Sequence, residues 1–134
     1  MVFNAGFERL VLVPLDATDY ATVTEPQIRS LAALGTPAGE AAARILDYYI
    51  TAETERYGQA RVHDALCVAY VLDPAVLSLR QVRVDCDTVG YHTYGRTIVD
   101  QHEQSGRPRN AYMGLRADTA GFFDLLYTTC GLQP

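Results

Sequence analysis

Between Val62 and Pro74 the chain reads Val-His-Asp-Ala-Leu-Cys-Val-Ala-Tyr-Val-Leu-Asp-Pro, and after the His-Asp pair no residue before Asp73 is charged. The run is too short to cross a bilayer, which takes roughly 20 apolar residues. It stops where Pro74 disfavours helical backbone in the residue before it. A helix apolar on almost every face has no solvated side, so the pattern predicts that it lies at the centre of a core. Such a helix needs packed layers around it.

The neighbouring segments supply candidate layers. Residues 10–15 form an aliphatic and β-branched run of the kind buried on both faces of a sheet, ending in turn-like Asp16-Ala17-Thr18-Asp19. Thr24, Pro26 and Gln27 mark a helix start, with Gly35 as its stop. Thr36-Pro37 opens a second helix, in which Ala38, Ala42, Ile45, Tyr49 and Ala52 make an apolar stripe and Gly58 is the expected end. Beyond Pro74, residues 79–84 and 97–99 are strand-like, and 111–115 more weakly so. Asp118-Thr119 begins a last helix with Phe122, Phe123, Leu126 and Tyr127 on its buried side. Helices alternate with strands early and strands dominate later, which predicts an α/β fold, a layered mixed β-sheet with flanking helices. With 134 residues, 49% of them apolar, the chain can bury one core and not two, so residues 1–134 are read as one unit.

Charge and cysteine content narrow the function. The net charge of -5 and eleven scattered basic residues exclude a nucleic-acid surface, which needs clustered cations to displace counterions from phosphates. No apolar run is long enough for a membrane span and no basic-apolar leader follows Met1, so a cytoplasmic location is expected. Cys67, Cys86 and Cys130 form no C-x-x-C pair and are read as free thiols in a reducing compartment.

His63 and Asp64 are the residues best placed for chemistry. At a helix start, backbone N–H groups and the macrodipole favour a carboxylate. An imidazole beside it is able to act as a general acid near neutral pH. Local physics also allows a plainer account, in which Asp64 is a helix cap and His63 its partly exposed neighbour.

The run from Val62 to Pro74 resembles the His-Asp helix of the inosine-uridine preferring nucleoside hydrolase family. Further segments follow in that family's order: Val13-Pro14-Leu15-Asp16-Ala17-Thr18 is similar to its Leu-Asp-x-Thr strand end. Ala33-Leu34-Gly35-Thr36-Pro37 is similar to its junction between helices, and Tyr94-Gly95-Arg96-Thr97-Ile98-Val99-Asp100 to its Gly-x-Thr-x-x-Asp strand. Phe122-Phe123-Asp124-Leu125-Leu126 resembles the helix that closes the domain. The resemblance implies hydrolysis of the N-glycosidic bond of purine or pyrimidine nucleosides to ribose and free base. It implies that Asp64 ligates a calcium ion and that His63 protonates the departing base, both residues touching substrate. It also implies a homo-oligomer.

The family's Asp-x-Asp-x-x-x-Asp-Asp segment has no counterpart here, and residues 1–20 correspond to the middle of the family fold. The expectation is a partial domain, the C-terminal portion of a nucleoside hydrolase-like fold, inactive alone, with only Asp64 offered to calcium and an apolar face open to self-association or to a missing N-terminal half. The alternative is a non-catalytic binding or assembly module that keeps the family scaffold. Other groups are discounted: Asp85-Cys86-Asp87 is read as a solvated turn, Asp16 and Asp19 as turn residues, His92 and His102 as surface histidines, and residues 90–95 as a flexible loop.

Overall fold

Strand β4 (Leu77–Cys86) is the longest and organises the main sheet, whose order is β1 (Val11–Leu12), β6 (Ala111–Ala117), β4, β5 (Thr97–Asp100). β4 runs antiparallel to both neighbours while β1 lies parallel to β6, so the sheet is mixed, as expected. The computed structural model describes residues 2–57 and 59–132, without the side chain of Tyr57. The helix stop read at Gly58 lies outside those residues.

The sheet separates two apolar clusters. Val82, Val84 and Ala111 pack with Leu10, Leu12, Val99 and Met113 on one side. The larger cluster includes Leu31, Leu66, Val76, Leu77, Ala117, Phe122 and Phe123. A register shift explains how β6 serves both: Ser78 pairs with Arg116 but Leu79 pairs with Gly114, which leaves Leu115 as an extra residue. Such a bulge reverses the inward-outward phase of a strand, so Ala111 and Ala117, of equal parity, face different clusters.

Two helices form as their sequences dictate. The backbone N–H and hydroxyl of Thr24 donate to Gln27 Oε1 at 2.8 and 2.9 Å, locking the start of α2 (Glu25–Ala32), and Gly35 adopts a left-handed φ of 66° beyond its end. At α5 (Thr119–Gly131) the Asp118 side chain accepts from the Gly121 N–H, and Phe122 and Phe123 are buried.

Elsewhere the structure corrects the sequence reading. In α3 (Pro37–Tyr57) Ala42 and Tyr49 pack against the core as expected, but Ala38, Ile45 and Ala52 are exposed, and Gly39, Ala43, Leu46 and Ile50 complete the inward face. The helix is turned because α2 packs closely at Gly39, where a Cβ would meet the Leu31 carbonyl oxygen at 2.6 Å. Residues 10–15 do not make a strand buried on both faces: β1 has two half-buried residues at a sheet edge, and residues 15–18 form a short helix, α1 (Leu15–Thr18). The helix from residue 64, α4 (Asp64–Leu72), is not central. Only Leu66 and Ala69 are buried, while Val68, Val71 and Leu72 are 61%, 78% and 61% exposed. α5 and the 3-10 turn Pro74–Val76 cover one side of it, and an apolar cleft of about 250 Å³ lies between α4 and α5 along Val68, Leu72, Leu125 and Leu126.

A two-stranded ladder invisible to periodicity, β2 (Thr22–Val23) with β3 (Ala60–Arg61), joins the start of the chain to α4. No helix among the described residues is long and apolar enough to cross a membrane.

Candidate active site around His63 and Asp64

The small ladder builds the site. Thr22 pairs with Arg61 and Val23 with Ala60, and the Val62 N–H donates to the Ala21 carbonyl at 2.8 Å. The end of α1 is thereby held against the start of α4. An Asp19–Arg61 ion pair at 2.6 Å adds to the clamp. Next to it the Thr18 hydroxyl, on a residue only 2% exposed, lies 2.8 Å from His63 Nδ1 and 3.1 Å from the Leu15 carbonyl.

Asp64 is the first residue of α4, and His63 takes the N-cap position without a side-chain capping bond. The plain reading of Asp64 as a cap is therefore not what the structure shows. Its exposed carboxylate makes no hydrogen bond or ion pair among the described residues, and it stands at the positive end of the helix dipole. One turn further, burial and then the field of Asp64 push the Cys67 thiol up, which leaves it a poor nucleophile.

The set-aside groups have structural partners. Asp85 lies inside β4, not in a solvated turn, because the strand continues to Cys86 and sets Asp85 between two guanidiniums: Arg83 at 2.5 Å and Arg107 at 2.9 Å. The Arg83 hydrogen bond holds its carboxyl below the usual range. Asp87 accepts the Thr93 hydroxyl and the N–H groups of Val89 and Gly90, so residues 87–96 form a turn built on one carboxylate. The Thr93 bond leads in holding its carboxyl below the usual carboxylate range. His92 is exposed and stacks edge-on to Tyr91, His102 is also exposed, and Asp16 is exposed in the first turn of α1. The three thiols are free.

Calcium takes six to eight oxygen ligands. Among the described residues no three acidic, histidine or cysteine side chains converge as a metal site. Asp64 is a suitable single ligand, and these residues alone do not fit a calcium cage. Sequence reasoning missed Thr18: its place in the Leu-Asp-x-Thr segment was visible, but its partner stands 45 residues away.

Comparison with known proteins agrees with this layout. The family description "Inosine-uridine preferring nucleoside hydrolase" matches residues 1–124. A pyrimidine-specific ribonucleoside hydrolase, RihB, from Escherichia coli O17:K52:H18 is 33% identical over 128 residues, 94% of this chain and 41% of its own length. Among solved structures, a purine-preferring ribonucleoside hydrolase from Gardnerella vaginalis superposes with a TM-score of 0.81 at 26% identity, over 97% of this chain and 42% of that one. The plant nucleoside hydrolase PpNRh1 shares the fold, with a TM-score of 0.79 at 16% identity, over 98% of this chain and 44% of that one. The chain belongs to the inosine-uridine preferring nucleoside hydrolase family. It spans 41% to 52% of the length of the first curated relatives it matches.

Proposed function

We propose that this chain supplies the His-Asp side of a ribonucleoside hydrolase active centre, which cleaves the N-glycosidic bond of nucleosides to ribose and free base. The observation that carries the proposal is the pairing of a carboxylate at the head of α4, without a hydrogen bond or ion pair among the described residues, with an imidazole anchored by Thr18. Breaking a bond from ribose to a base nitrogen leaves charge on a poor leaving group, and a general acid relieves it. His63 is that acid, giving its proton to the departing base. Asp64 is one carboxylate of a calcium and ribose site that needs oxygen ligands beyond the described residues of this chain.

The base is purine or pyrimidine: one named relative is pyrimidine-specific and another purine-preferring. The exposed apolar side of α4 favours a second reading, an assembly module that keeps the scaffold without catalysis, and on either reading it favours an oligomer.

Two assays separate these readings. Purified alone, the chain is expected to release no ribose from inosine or uridine and to bind calcium more weakly than about 1 mM. Grafted in place of the matching segment of the Escherichia coli relative, it is expected to support calcium-dependent release of ribose. A folded graft without activity favours the assembly module, and turnover by the isolated chain contradicts the single-ligand account.

A further inference from the structure

We infer that Thr18 is a positioning residue for His63, holding the neutral imidazole as the Nδ1–H tautomer so that Nε2 is left as the bare ring nitrogen. A threonine in a helix turns its hydroxyl back onto the carbonyl three or four residues earlier. Thr18 does so at 3.1 Å to Leu15, three positions back. A hydroxyl has one proton and two lone pairs. With the proton directed at Leu15, the oxygen presents a lone pair to Nδ1 at 2.8 Å, and that nitrogen must donate. The same bond persists when the ring is protonated, since both nitrogens then donate.

The surroundings make the anchor firm. Thr18 is 2% exposed, and the β2–β3 ladder with the Val62–Ala21 bond fixes the two backbones that carry the pair. What Nε2 is used for rests on the function proposed above; the tautomer itself does not.

The chain has three histidines, so one long-range ¹H–¹⁵N spectrum of histidine-labelled protein reports all of them, with exposed His92 and His102 as internal references. At about pH 8.5, where an ordinary imidazole is neutral, His63 is expected to show a protonated Nδ1 and a bare Nε2, the reverse of the Nε2–H preference of the two references. Thr18→Val, which keeps the shape and removes the hydroxyl, is expected to return His63 to the reference pattern, and Thr18→Ser to restore the wild-type one. A wild-type His63 carrying its proton on Nε2, or a folded Thr18→Val protein with an unchanged pattern, overturns the inference. If the valine variant does not fold, the wild-type spectrum alone decides. An inactive graft sinks the functional reading and leaves the tautomer intact, so the two failures are distinguishable.

Discussion

The side chain of Asn110 pairs with both backbone polar groups of Val84: its Oδ1 accepts the Val84 N–H at 2.7 Å and its Nδ2 donates to the Val84 carbonyl at 2.9 Å. The same amide nitrogen reaches the Phe3 carbonyl at 2.7 Å, so one residue closes the ladder of β4 and ties down the N-terminal segment. Val84 is fully buried. Asn110→Ala leaves these groups without partners at about 1–3 kcal/mol each. A urea titration should show a lower midpoint with a similar slope, and a midpoint like the parent's contradicts the assignment.

Gly39 sets the crossing of α2 and α3. Alanine there gains about 1 kcal/mol of helix propensity. Its methyl group also meets the Leu31 carbonyl oxygen at 2.6 Å, and a backbone atom cannot swing aside. Overpacking of this kind costs about 1–3 kcal/mol, so the clash wins. Gly39→Ala should lower the thermal midpoint; a raised midpoint shows that the helices can part freely.

Acid should destabilise the fold through carboxylates whose native pKa values lie below their unfolded ones. Hydrogen bonds from Ser105, then from the Gln104 N–H, bring Asp100 down to about 2, and Arg83 and Thr93 lower Asp85 and Asp87. The unfolded chain then binds protons more readily than the native one, so these groups stabilise above about pH 4 and stop doing so as pH falls towards 2. Asp100→Asn should be less stable than the parent at pH 7, and the gap should close near pH 2. A constant gap in urea midpoints across that range contradicts the turn as the source.

The open side of α4 should drive association. Val68, Val71 and Leu72 place three large apolar side chains in water on one short helix. Sedimentation velocity should show a concentration-dependent rise in mass, reduced in Val71→Glu. A monodisperse monomer at all concentrations, with no binding of a hydrophobic dye, removes the basis for an oligomer.

Local signals made part of this architecture legible. The Thr24–Gln27 box, the Asp118-Thr119 helix start and the strand-like run 79–84 specify their elements within a few residues. The placement of α4 was not legible, because composition reports how much apolar surface a helix has and not what covers it in this chain. The rotation of α3 depends on one missing Cβ against α2, and the phase of β6 on one extra residue at Leu115. For the site, the His63-Asp64 pair and its family resemblance could be read directly. The Thr18 anchor could not, since it depends on a two-residue ladder too short to leave a periodic trace.

The account stands on His63 as the group that protonates the leaving base, and the most direct test compares two leaving groups in the grafted enzyme. With His63→Ala, hydrolysis of inosine should fall by about 10²- to 10⁴-fold. Cleavage of 4-nitrophenyl riboside, whose phenolate departs without a proton, should fall by less than about 10-fold. Equal losses on both substrates, or no loss on either, contradict the role assigned to His63.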